Sequence, residues 1–206
     1  MFSDTVKEKI EILKGIDKDF KLFGADHHHY EFNPPLTLED VSSFEERNRI
    51  SLPEDYRDFV LNVGNGGAGP YYGIYPLRLD YNVDHRMKGD NQIDLSAPFP
   101  HSKDWDQDWV NEIDWDAGEK PDDDLLNDYF DTKHISGALC ICHYGCSDFV
   151  LLVVNGKDKG NIWIDGRGNY SGIYPEEIKD GERVTFSTWY LNWLNNRLEE
   201  LADNRR

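Results

Sequence analysis

The sequence predicts an α+β arrangement: consecutive antiparallel strands over Ala138 to Asp165, with helices from both ends of the chain packed on the sheet. Three observations point there. Apolar residues recur every three or four positions near both ends, the spacing of helices with one apolar face. The stretch Ala138 to Asp165 is β-rich and is cut by Gly145-Cys146-Ser147-Asp148 and by Asn155-Gly156-Lys157-Asp158-Lys159-Gly160, both turn signals. Aromatic residues make up 13% of the 206 residues, which is enough to build a core and excludes disorder throughout.

Taken in order, Val6, Ile10, Leu13, Ile16 and Phe20 give a first helix one apolar stripe. Phe23 to Asn33 reads as loop, closed by Pro34-Pro35. Thr37 is an N-cap with Asp40 three residues on, a variant of the capping box, and Leu38, Val41 and Phe44 point inward from the second helix. Leu52-Pro53 ends it and places Pro53 at the first position of a third helix, with Tyr56, Phe59, Val60 and Val63 as its stripe and Gly64-Asn65-Gly66-Gly67 as its stop. Tyr71 to Leu77 reads as a short aromatic strand ending at Pro76. Phe149 to Val154 is apolar at every position, as in a strand covered on both faces. The closing helix carries Phe186, Tyr190, Trp193, Leu194, Leu198 and Leu201 on one broad face, with Thr185 or Ser187 as cap and Arg197, Arg205 and Arg206 toward its negative end.

The charge is lopsided: 22 Lys+Arg against 40 Asp+Glu, a net −18. Such a chain is a poor binder of phosphate backbones and of anionic lipid, so neither nucleic acid nor a membrane is an expected partner; a basic protein or a cation is. No apolar run reaches the roughly 20 residues a membrane helix needs. The polar Met1 to Glu11 is no signal peptide, and the three cysteines are odd in number and confined to Cys140–Cys146, so a reduced, cytoplasmic setting is expected. Most of the charge sits in one place. Asp104 to Asp131 holds twelve acids and a single base, Lys120, for a net of −11, together with Trp105, Trp109 and Trp115.

Several strings, in order, resemble the SMI1/KNR4 family of the SUKH superfamily. They are Leu52-Pro53-Glu54-Asp55-Tyr56-Arg57-Asp58-Phe59 with Gly64-Asn65-Gly66-Gly67; Tyr72-Gly73-Ile74-Tyr75-Pro76-Leu77; and Gly145-Cys146-Ser147-Asp148 with Leu151-Leu152-Val153-Val154-Asn155-Gly156. Gly160-Asn161-Ile162-Trp163-Ile164-Asp165-Gly166-Arg167 and Phe186-Ser187-Thr188-Trp189-Tyr190-Leu191-Asn192-Trp193-Leu194 follow. The resemblance runs from about residue 37 to 198. It implies an α+β fold with a mostly antiparallel sheet packed by N-terminal and C-terminal helices. It also implies a single domain over 1–206, with a helical extension at about 1–36 and an insertion at about 81–133. Bacterial members are mostly immunity proteins that bind a cognate toxin domain, often a nuclease or deaminase; eukaryotic members are regulators and scaffolds. The resemblance carries over no catalytic residue.

The remaining motifs carry little sign of chemistry. Cys140-x-Cys142-His143-x-x-Cys146 has zinc ligands, but on a regular strand Cys140 and Cys142 face one side about 7 Å apart and His143 the other. Tetrahedral zinc, with bonds of about 2.3 Å, needs its sulfurs within about 4 Å. Buried small hydrophobes, with Cys146 in the turn, are the expected reading. Asp104-x-Asp106-x-Asp108 opens like a calcium loop, yet Trp109 stands where glycine is needed and Trp115 where glutamate is; a looser calcium site and a solvated acidic loop are the alternatives. His27-His28-His29 is expected to be an exposed loop. Motifs for nucleophilic, zinc-protease or phosphate chemistry are lacking, and no catalytic residue, cofactor or metal is assigned. The expectation is a monomeric immunity protein that occludes a basic toxin domain, with a non-catalytic regulatory scaffold as the alternative. Asp104, Trp105, Asp106, Asp108, Trp109, Asp114, Trp115 and Asp116 are assigned to the interface. Trp has two readings there, as an anchor for a partner or as a pin holding the insertion to its own core.

Overall fold

The computed structural model of the chain describes residues 1–79, 92–114 and 116–203. α1 (Phe2–Ile16) buries Val6, Ile10 and Leu13. Its stripe ends sooner than the spacing predicts. The Asp17 carboxylate accepts the N–H groups of Lys21 and Leu22 and the hydroxyl of Tyr30, at 2.8, 3.1 and 2.7 Å, and these bonds turn the chain out of the helix. Phe20 therefore lies outside it at φ +53°, with its ring against His29 and Tyr30. The expected loop after it contains one helical turn, α2 (Ala25–His28), entered through Gly24 at φ +84°. A Cβ at Gly24 would stand 1.6 Å from the Tyr71 carbonyl oxygen, so only glycine fits.

α3 (Leu38–Asn48) opens on a complete capping box: Thr37 Oγ1 accepts the Asp40 N–H at 3.1 Å and Asp40 Oδ2 accepts the Thr37 N–H at 3.2 Å. Such a cap contributes about 1 kcal/mol. Val41 and Phe44 are buried as expected, but Leu38, in the first turn, projects past the packed stripe and is 61% exposed. In α4 (Glu54–Asn62) Pro53 is the cap rather than the first helical residue, and Tyr56, Phe59 and Val60 are buried, followed by Val63. The Tyr71–Leu77 strand does not form. Tyr71 and Gly73 have positive φ, Pro76 has no N–H, and both backbone groups of Leu77 are taken by the Asn65 side-chain amide. Only isolated bridges remain, from Ile74 to Gly67 and to Cys142.

The sheet is antiparallel in the order β1 (Ala138–Gly145), β2 (Asp148–Val153), β3 (Ile162–Asp165), β4 (Ile173–Pro175). Cys146 and Ser147 both have positive φ, as a type I′ hairpin turn requires. Every residue of β2 is buried, because it lies between β1 and β3 and both its faces are covered. Trp163 pairs with Leu151, which pairs with Cys140, so these three share one face, where Phe99 packs 4.9 Å from the Trp163 ring. Val150, Leu152, Ile162 and Ile164 alternate to the other face and belong to the same core as Tyr56, Phe59, Phe186 and Tyr190 of the helices. α6 (Phe186–Asp203) is capped by Thr185, whose Oγ1 accepts the Thr188 N–H. Its first N–H groups also tie back to α4, Ser187 donating to Asp55 at 2.8 Å. Trp189 is buried alongside the expected stripe, while Trp193, Leu198 and Leu201 are half-buried. Arg197 pairs with Glu200; Arg205 and Arg206 lie outside the described residues.

The strand geometry assumed for the cysteines is corrected by a β-bulge. Cys140 pairs with Leu151 and Cys142 with Val150, so two steps along β1 match one along β2. Cys140 and Cys142 therefore face opposite sides, and His143, opposite Phe149, faces the side of Cys140. Cys142 is fully buried and its thiol donates to the Pro70 carbonyl; burial pushes that thiol well up. Cys146 is exposed in the turn.

Candidate partner-binding surface

The acidic segment 104–131 is fastened to the sheet by its backbone first. Trp105 and Ile173 exchange both N–H···O bonds, at 2.8 and 2.7 Å, so the acidic segment covers the edge of β4 at Ile173. Gly172 permits this: a Cβ there would meet the Trp105 carbonyl oxygen at 2.1 Å. The Trp105 ring then stacks on His134 at 4.2 Å and stands near His101 and Tyr129. Trp109, in a 3-10 turn over Asp108–Asn111, packs edge-on against Tyr129 and Tyr170. Both rings are half-buried among the chain's own aromatics. Trp115 lies outside the described residues.

Tyr129, at the end of α5 (Asp123–Tyr129), is the hub of this region and is fully buried. Its hydroxyl donates to Asp106 Oδ1 at 2.8 Å and accepts the Gly172 N–H at 3.1 Å. Burial, with the Asp106 carboxylate, pushes its pKa up. Its carbonyl accepts from Arg167 Nη1 at 2.8 Å, and the same nitrogen donates to the Asp131 carbonyl at 3.1 Å. Arg167 is in turn held by Asp165 through a fork, Nε to Oδ1 and Nη2 to Oδ2, both 2.8 Å. Both side chains are 0% exposed. This ion pair was not anticipated. The only sequence signal for it is a charged residue at each end of Asp165-Gly166-Arg167, directly after an apolar strand.

Around this frame the acids face outward. Asp104, Asp106, Asp108, Asp114 and Asp116 are all exposed. The structure brings the 104–108 run next to α5, where Gln107 Nε2 donates to Asp128 at 3.1 Å. Asp106 is therefore both a surface acid and an internal acceptor. Asp114 serves its own loop, accepting the Ala117 N–H at 3.0 Å. Lys133 pairs with Asp128, whose carboxyl is held low chiefly by that bond, and reaches Asp131 at 3.8 Å. Nearby, His101 Nε2 lies 2.8 Å from the His134 carbonyl, and burial presses its pKa down to about 4. The triple histidine is not an exposed loop throughout. His28 is buried at 8% exposure, accepts the Tyr30 N–H on Nδ1 and packs edge-on against Trp193; burial brings its pKa to about 4. Among the described residues no three His, Cys, Asp or Glu side chains converge as metal ligands would. Nor is any described helix long and apolar enough to cross a membrane.

Helices flanking a four-stranded antiparallel sheet, with an acidic segment fastened to its edge, define an α+β protein with a large acidic outer face. The SMI1 / KNR4 family (SUKH-1) model matches residues 35–185, most of the chain and all of the acidic segment, and the chain belongs to that family. No curated protein and no solved structure matches it.

Proposed function

We propose that this chain is a non-catalytic, cytoplasmic immunity protein of bacterial type that binds a cognate basic toxin domain one-to-one and blocks it by occlusion. Family membership supports the class, and one observation supports the surface: the densest charge of the chain is displayed outward from a frame fastened by Arg167, Tyr129 and the Trp105 backbone. Asp104, Asp108, Asp114 and Asp116 steer the partner, and Asp106 with the outer edges of Trp105 and Trp109 completes the contact. Nucleases grip phosphate through basic grooves, and a row of carboxylates fits such a groove. Residues 1–206 act as one unit in this reading, the segment of about 1–36 buttressing the fold, since the Phe2 ring packs on Phe186 and Tyr190.

The test mixes the chain with the toxin domain encoded beside its gene and follows association by stopped flow and toxin activity by its own assay. A one-to-one complex that silences the toxin is expected. The triple variant Asp104→Asn, Asp108→Asn, Asp116→Asn, which spares the Tyr129 acceptor, slows association about tenfold at low salt and flattens its salt dependence. A toxin left fully active by excess protein overturns the immunity reading and leaves a regulatory scaffold. A complex indifferent to the triple variant moves the interface elsewhere.

A further inference from the structure

A second surface lies along α6. Trp189, Trp193 and Arg197 of α6, with Tyr71, Glu176 and Ile178, line a cleft of about 220 Å³. That is below the roughly 300–1,000 Å³ of typical ligand pockets, so it suits one side chain better than a whole small molecule. Glu176 follows β4, its N–H bonded to the Ile162 carbonyl at 2.9 Å, and its side chain is half-buried in the cleft. Burial raises its carboxyl above the usual range, and among the described residues no ion pair holds it. Its charge is felt by the Tyr71 hydroxyl, and the Tyr71 ring stands 6.4 Å from that of Trp189. Arg197 also lines the cleft; its Nη1 pairs with Glu200 at 2.8 Å, and its Nε is buried without a hydrogen-bond partner. The mouth carries an apolar residue, Ile178, that is 40% exposed.

We propose that this cleft receives an arginine side chain of a protein partner, its guanidinium forked on Glu176 and lying against the rings of Tyr71 and Trp193. The chemistry selects arginine. A planar, weakly hydrated guanidinium meets a carboxylate with two parallel bonds and stacks on aromatic faces, whereas an ammonium is a strongly hydrated point charge. A half-buried acid held in no ion pair among the described residues gains from a partner that brings a guanidinium to it. The net charge of −18 draws such a partner in. The inference stands apart from the toxin reading, since it holds for any arginine-bearing partner and uses none of the 104–131 acids.

The experiment is an NMR titration of the ¹⁵N-labelled chain with the capped tripeptide Gly-Arg-Gly and with Gly-citrulline-Gly, which has the same shape without the charge. The arginine peptide is expected to shift the indole N–H signals of Trp189 and Trp193 saturably, at least fivefold more tightly than the citrulline peptide. Glu176→Gln removes that preference while its remaining spectrum overlays the parent, and Asp104→Asn with Asp116→Asn leaves it intact. Equal response to the two peptides, shifts confined to residues 104–131, or an unchanged preference in Glu176→Gln would each overturn the proposal. The peptide comparison decides it without any variant.

Discussion

Asp165 and Arg167 are two opposite charges held away from water. Each ion gave up several kcal/mol of hydration on folding, and the fork between them plus two backbone carbonyls offsets that loss. Removing one partner strands the other. Arg167→Ala is expected to cost about 3–5 kcal/mol in urea unfolding. It also exposes Asp104 to Asp131 to limited proteolysis before the rest of the chain, because Arg167 is what holds the Tyr129 and Asp131 carbonyls. Two histidines give the stability a pH dependence of known sign. His28 and His101 have pKa values near 4 in the fold against 6.5 when free, so the unfolded chain binds more protons between those values. Stability is complete above about pH 6.5 and falls as the pH drops toward 4. His101→Phe is expected to flatten that slope in urea melts at pH 7.5 and 5, and an unchanged slope would place the titrating group elsewhere.

At the scale of elements, the hairpin and the acidic segment respond to different chemistry. The β1–β2 turn puts Cys146 and Ser147 at φ +48° and +68°, where asparagine and glycine are better suited. Cys146→Asn with Ser147→Gly is expected to raise stability by about 1 kcal/mol in urea melts. Trp109→Ala is expected to lower it by about 2 kcal/mol, since the ring packs on Tyr129 and Tyr170, and calorimetry of the free protein reads this directly. These elements also show what the sequence discloses. The helical stripes around Phe59 and Tyr190, the Thr37 cap and the apolar β2 strand were legible because periodicity and capping are local. Phe20, the Tyr71–Leu77 segment and the Ile141 bulge were not, because distant groups decide them: Tyr30 on Asp17, the Asn65 amide on Leu77, and the register of β2. The acids of the candidate surface could be read from composition alone, whereas Tyr129 and Arg167, which fix where they stand, could be found only in three dimensions.

At the scale of the molecule, a net charge of −18 resists compaction. Neutralising exposed acids that bear no structural bond, as in the Asp104→Asn, Asp108→Asn, Asp116→Asn chain, is expected to raise the melting temperature of the free protein at low salt by a few degrees, with the gain vanishing at high salt. Arg167 grips the acidic segment at the main-chain carbonyls of Tyr129 and Asp131, which every sequence possesses. That grip does not depend on the side chains of the residues it holds, unlike the Tyr129–Asp106 bond and the Trp105 and Trp109 ring contacts. Outer positions such as Asp116, Asp123 and Asp124 can then be rewritten wholesale, and a library randomised there should yield folded protein as often as the parent. A frame of this kind lets one chassis be readdressed to a succession of targets while its mounting stays unchanged.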